Sequence, residues 1–195
     1  NVYNEIIENS PNDSVALIGI QACELAIEWL AEPTRYIVEF HKDLSSRYND
    51  FTPYVDERSS GYDYVYFSSN REPEEMTNKE KRKLRKSGIT GQTFTNIYVS
   101  KHLRSGDWSD PEPLDSINNE WDQGTPLLFD GGRKLFFTSC LKDSDQKLGC
   151  QIYEAGKVGG DFMNPQRVDI VPDSVSIGHP AISEDGNMII FSARM

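Results

Sequence analysis

The sequence predicts a mainly β chain of short antiparallel strands preceded by a helical segment. Three observations carry this. Apolar runs ending in phenylalanine recur at Phe67, Phe137 and Phe191. Turn residues such as Asp130, Gly131 and Gly132 separate the runs, and helical spacing of apolar residues is confined to the first 44 positions. With 195 residues, 37% hydrophobic and 11% aromatic, the chain can bury a core as one or two domains. Its net charge of -11 argues against nucleic acid as a partner, because phosphate binding needs clustered Lys and Arg; solubility is the simpler meaning. No run of about 18 apolar residues stands out, so no transmembrane segment is expected. Asn1 to Tyr3 do not open a secretory signal, and the missing initiator Met, with an end inside "MIIFSARM", suggests a piece of a longer protein.

Residues 1–44 read as a helical segment and connector. Ser10, Pro11, Asn12 and Asp13 give a helix start, and Ile18, Ala22, Leu25, Ala26 and Trp29 follow at helical spacing. A second apolar set, Ile20, Cys23, Ile27 and Leu30, lies beside the first, so the helix is expected to pack on more than one side, as the last helix of a tetratricopeptide-like array whose earlier helices precede these residues. Cys23 is expected to be a small core residue, and Pro33 to stop the helix by breaking its hydrogen-bond ladder.

From residue 45 to 195 the chain repeats. "YVYFSS", "LFFTS" and "MIIFSA" align on their Phe residues, and consecutive apolar positions mean strands covered on both faces. Pro126 precedes Phe137 by 11 residues, as Pro180 precedes Phe191; from Pro53 to Phe67 the distance is 14. Second halves align as well. "NIYVS" at 96–100 matches "QIYEA" at 151–155, while Trp108 and Phe162 each precede a proline by three residues and so read as packing aromatics rather than a stacking platform. The interval is 54 residues between the last two copies and 70 between the first two, the excess lying in residues 72–94. A period near 50 with four short strands per unit is the signature of a β-propeller blade. The expected fold is thus a partial propeller, with blades at about 50–115 and 122–170 and an incomplete one at 176–195.

The segments "SSRYNDFTPYV", "TGQTFTNIYVSK", "GDWSDPEPLDSINNEWDQGTP", "LGCQIY" and "GHPAISEDGNMIIFSA" resemble TolB-like, or WD40-like, propeller repeats. More closely they resemble the OmpA-family periplasmic proteins of the type IX secretion system, the PorE type, over essentially the whole chain. "SEDGN" departs from the usual Ser-Pro-Asp-Gly turn by Glu184, which leaves Asp185 and Gly186 to make the turn. The resemblance implies tetratricopeptide-like helices before the propeller, and an OmpA-like peptidoglycan-binding domain beyond these residues. It also implies a periplasmic, outer-membrane-associated scaffold with protein partners in a secretion complex, and peptidoglycan reached only through that other domain.

Two particular features stand out against the repeat. If Phe137 and Tyr153 pair across adjacent strands, Cys140 and Cys150 fall opposite each other, close enough for a disulfide contributing about 2 to 3 kcal/mol. The alternative is two reduced thiols at a hairpin end; zinc is disfavoured because no second cysteine or histidine pair accompanies them. The run "KEKRKLRK" carries six cations, Lys79, Lys81, Arg82, Lys83, Arg85 and Lys86, and a net +5, leaving -16 for the rest of the chain. Its plainest reading is a solvated loop, and its sharper one a contact for an acidic partner or anionic headgroups.

No catalytic constellation emerges. There is no GxSxG elbow; His41, His102 and His179 stand without a nucleophile or second ligand, and His179 aligns with Thr125 as a repeat position. Asp130 and Asp185 occupy corresponding turns, and "GKVGG" at 156–160 is a strand reversal that lacks the helix of a phosphate loop. The expectation is a non-enzymatic protein-interaction scaffold with no cofactor and no metal. The alternatives are the accessory propeller of a periplasmic peptidase and a glycan-binding module.

Overall fold

A computed structural model of the chain describes residues 2–58, 61–72, 76–77, 79, 84, 86, 91–140 and 149–194. The chain divides into two compact units, Asn1–Phe40 and His41–Met195.

The first unit holds two helices, α1 (Val2–Asn9) and α2 (Ser14–Ala31). Asp13 caps α2, its carboxylate accepting the Ala16 N–H at 2.8 Å, so an orphan donor of the first turn is satisfied. The helix ends one residue before Glu32, whose N–H reaches the Glu28 carbonyl, with Pro33 just beyond. The Tyr3 ring lies over Gly19, where a Cβ would stand 2.6 Å from it. One expectation is corrected here, that of Cys23 as a core residue. Ala16 is the one buried residue described in α2; Val15, Ile18, Ile27, Trp29 and Leu30 are exposed, and so is Cys23, which is not a core residue. The helix touches α1 through its Ala16 and Gly19 region, too small a footprint to cover a helix apolar over most of its girth. Further, α2 is 18 residues long and apolar enough by length and composition to cross a membrane, although Glu24 and Glu28 interrupt it. The apolar-run criterion passed over it because of those two carboxylates.

Among the described residues, the second unit is built of ten strands in three antiparallel sheets. One sheet orders β1 (Asp50–Arg58), β2 (Gly61–Ser69), β3 (Asn96–Lys101) and β4 (Glu112–Pro113) in sequence. The next orders β5 (Asp122–Phe129), β6 (Lys134–Cys140), β7 (Cys150–Val158) and β8 (Asp161–Arg167), and the last pairs β9 (Ser176–Ile182) with β10 (Ile189–Arg194). The mainly β character is as expected, but the partial propeller is not: the three small sheets do not close and are not arranged as blades. The physical reason is that a sequence period specifies hairpins and strand count through local turns and alternation, whereas ring closure depends on how whole sheets are disposed, which no local pattern encodes.

Packing follows the repeat nonetheless. Leu135 to Ser139 of β6 are all buried, as are Val65 to Ser69 of β2, so both faces of these central strands are covered. Tyr66, Ile97, Leu128, Leu135, Phe137 and Phe162 form one core joining the first two sheets; Phe136, Ile152 and Ile177 form another, joining the second to the third. Tyr98 stacks on Phe67 at 6.1 Å and Tyr153 on Phe137 at 5.8 Å, each pair 26° apart, which places the aligned aromatics in one repeated cross-strand contact.

Candidate functional site

The first strands of the three sheets, β1, β5 and β9, carry the same irregularity. Thr52-Pro53, Thr125-Pro126 and His179-Pro180 each bulge out of register, two residues opposing one, and the residue opposed is Phe67, Phe137 or Phe191. Thr52, Thr125 and His179 have φ of 49°, 53° and 56°, a left-handed conformation that costs a residue with a Cβ on the order of 1 to 3 kcal/mol. Such geometry persists only where surroundings over-determine it, and here the surroundings are hydroxyls. The Thr125 N–H donates to Ser68 Oγ of the preceding sheet at 2.9 Å, and the His179 N–H donates to Thr138 Oγ1 at 2.9 Å. Thr52 and Ser68 hydroxyls meet at 2.8 Å, and those of Thr125 and Thr138 at 2.6 Å. Gly124 and Gly178 precede two of the bulges because a Cβ there would come within 3.1 Å of Ser68 and 3.0 Å of Thr138.

Where these strands converge lies a cleft of about 390 Å³, lined among others by Phe51, Asp122, Thr125, Ser176 and His179. Gln123, fully buried in its wall, accepts from the Asn119 N–H and donates to Asn119 Oδ1 at 2.7 Å and Ser139 Oγ at 3.3 Å. Asp122 accepts from the Thr95 N–H and hydroxyl at 2.8 and 2.9 Å. These polar groups are engaged in structure. His179 projects an exposed ring while its backbone makes the sheet contact, in keeping with a repeat position.

The predicted cysteine pair is brought together. β6 and β7 pair Phe137 with Tyr153 and Cys140 with Cys150, and the sulfurs are bonded at 2.08 Å across Cα atoms 3.9 Å apart. The Cys150 N–H donates to Ser176 Oγ, tying the bridge to β9. Of the six predicted contact cations, Lys79 and Lys86 are exposed, and Lys86 bridges to Thr93; Lys81, Arg82, Lys83 and Arg85 lie outside the described residues.

The base of that basic segment is a hydrogen-bonded knot. Gln92 Oε1 accepts from Asn49 Nδ2 at 2.7 Å and Asn70 Nδ2 at 3.0 Å, Thr93 donates to the Asn70 carbonyl, and Tyr48 donates to Glu72 Oε2 at 2.9 Å. A polar hollow of about 220 Å³ sits there, with Arg47 and Lys86 on its rim. Beneath it Asp50 accepts from Arg71 at 2.7 Å, from Ser69 Oγ at 2.6 Å, and from the amide and hydroxyl of Ser46 at 2.6 and 2.8 Å. Burial opposes ionisation of Asp50, but the hydrogen bonds from Arg71, Ser69 and Ser46 outweigh it and hold the carboxyl below its ordinary value. The Arg71 guanidinium also lies over the rings of Phe67 and Tyr98 at 5.0 and 5.2 Å.

Other singled-out residues resolve as architecture. Asp130 and Asp185 sit in the β5–β6 and β9–β10 turns; the Ser183 hydroxyl and the amide and side chain of Asn187 hold the Asp185 carboxyl down at about 2. Phe162 is buried in the first core and Trp108 packs beside the Val65, Phe67 and Tyr98 cluster. His102 pairs with Trp108, and among the described residues no three His, Cys, Asp or Glu side chains gather as metal ligands.

Sequence reasoning missed Asp50 with Arg71, and the hydroxyls of Ser68 and Thr138. A signal for the latter was present. Gly-Xaa-Pro recurs at 124–126 and 178–180, and a Ser or Thr follows each aligned Phe. The chain matches no protein-family model and no curated protein.

Proposed function

We propose that the chain is a protein-recognition scaffold of the cell envelope, with residues 72–94 as its contact segment for an acidic partner surface. The observation that carries this reading is the knot of Asn49, Asn70, Gln92 and Thr93, which ties the segment to a sheet through its two ends. A cationic loop on a rigid base meets its partner with less ordering cost than a free one. Lys79 and Lys86 are exposed and carry part of the charge. The Cys140–Cys150 bridge favours an oxidising compartment such as the periplasm. Outer-membrane association and a place in type IX secretion rest on the sequence resemblance alone.

The test replaces Lys81, Arg82, Lys83 and Arg85 together by Ser. Recovery of the native partner from solubilised envelopes should fall about ten-fold or more, as expected when several complementary charges are lost, while the thermal midpoint holds. Undiminished recovery rejects the contact segment.

A further inference from the structure

Arg47 and Tyr48 stand side by side where the chain approaches β1, and the tyrosine hydroxyl is used twice. It accepts from Arg47 Nη2 at 2.8 Å and donates to Glu72 Oε2 at 2.9 Å, while the guanidinium carbon lies 5.0 Å from the centre of the Tyr48 ring. Tyr48 thus fixes the cation and keeps the carboxylate one side chain away from it. Among the described residues the guanidinium has no carboxylate bonded to it directly, so its remaining N–H donors are open to a second anion.

The rest of the polar hollow of about 220 Å³ also presents donors. Asn70, only 4% exposed, and Asn49 each give one amide hydrogen to Gln92 Oε1, at 3.0 and 2.7 Å, and each primary amide carries a second hydrogen. Lys86 stands exposed on the rim, its backbone fixed by the bridge to Thr93. Arg47 and Lys86 against Glu72 leave the hollow a net charge of +1. Every residue lining it belongs to the connector before β1, the exit of β2 or the segment before β3, so its walls come from the first sheet and the basic segment alone.

We infer that this hollow receives one carboxylate side chain, a Glu or Asp of the partner, between Arg47 and Lys86. The inference rests on the reading of residues 72–94 as the contact for an acidic surface, and it adds a pocket built largely from residues outside the cationic run. A carboxylate accepts only, through two oxygens, so it can take the guanidinium on one and the ammonium or an asparagine amide hydrogen on the other. Its single charge matches the net charge of the hollow. Glu72 supplies the selectivity: a phosphate, with nearly two charges, meets the same cations but about twice the repulsion from Glu72.

The experiment titrates the 195-residue chain into an acetylated, amidated peptide of alternating Ser and Glu carrying a neutral fluorophore, read by anisotropy. Arg47→Gln and Lys86→Gln should each weaken binding about two- to five-fold, the range of a solvent-accessible ion pair, with thermal midpoints unchanged because both side chains are exposed. Glu72→Gln should tighten binding by a similar factor, and the gain should be larger for the peptide in which one phosphoserine replaces a central Glu. Loss of binding on replacing Lys81, Arg82, Lys83 and Arg85 by Ser, with none for Arg47→Gln or Lys86→Gln, keeps the contact segment and overturns the hollow. The converse pattern supports the hollow and rejects the segment. An unchanged or weaker complex with Glu72→Gln, an equal gain for both peptides, or no binding by the wild-type chain also overturns the inference.

Discussion

The sheets β1–β4 and β5–β8 have the same strand order, the same Xaa-Pro bulge and the same Phe-Tyr stack, yet they secure the exit of the second strand by different chemistry. In the first, Asp50 is opposite Ser69 and grips Arg71, an ion pair with six-sevenths of the side-chain surface of Arg71 removed from solvent (14% left exposed). In the second, Gln123 takes the place of Asp50 opposite Ser139, and the fastening passes one position on, to the covalent Cys140–Cys150 bridge. The third hairpin has Ile177 opposite Ala193 at this level and no polar group at all. One backbone plan thus accepts ionic, amide and apolar centres. What the position requires is a filled cross-strand pair; its chemistry is free to follow local need.

The comparison can be broken from either side. The largest effect is expected from Arg71→Ala, which leaves the mostly enclosed Asp50 carboxylate without its cation and should cost about 2 to 4 kcal/mol by denaturant titration. This pair also sets a pH dependence. The folded-state value of Asp50 lies below its ordinary 3.8, so its contribution is complete above that value and is lost as pH falls through the lower folded value. Wild type should therefore lose stability on acidification below about pH 4, and Arg71→Ala should show a shallower acid slope. An unchanged slope would place the acid sensitivity elsewhere.

Next in size, Cys140→Ser/Cys150→Ser should lower stability by about 2 to 3 kcal/mol. The variant should match reduced wild type and ignore added dithiothreitol, while keeping the acid slope of the first sheet. A reductant effect surviving in the double variant would contradict the assignment. The smallest effect is at the hydroxyl contact between the sheets. Ser68→Ala strips the Thr125 N–H of its acceptor and should cost about 1 to 2 kcal/mol, with faster exchange of that amide as the specific sign.

Much of this was legible in the sequence, for reasons that differ by residue. The hairpins, the Asp130 and Asp185 turns and the disulfide register followed from alternation, turn chemistry and the alignment of Phe137 with Tyr153, all of which are local or fixed by pairing. The first-strand bulges were not legible, because an Xaa-Pro inside an apolar run reads as a strand boundary. At Thr125 and His179 the Ser68 and Thr138 hydroxyls, from another sheet, accept the amide of the left-handed residue. Ring closure was read into the period and is not found, since no local signal governs the disposition of sheets. The short helix α1, without a cap motif to announce it, went unnoticed, and Cys23 was read as core although it lies on an exposed face of α2.

The hydroxyl contacts between sheets also impose an order in time. Ser68 belongs to the second strand of its sheet and receives an amide from the first strand of the next; Thr138 does the same one sheet later. Each acceptor is synthesised before its donor, by 57 residues in one case and 41 in the other. A chain emerging from its N-terminus can therefore complete one hairpin, present a finished acceptor, and lock the next strained bulge as it arrives. Thr52 holds the same bulge with only Ser68 of its own sheet, so a formed predecessor favours the Thr125 and His179 bulges by one hydrogen bond each rather than being required for them.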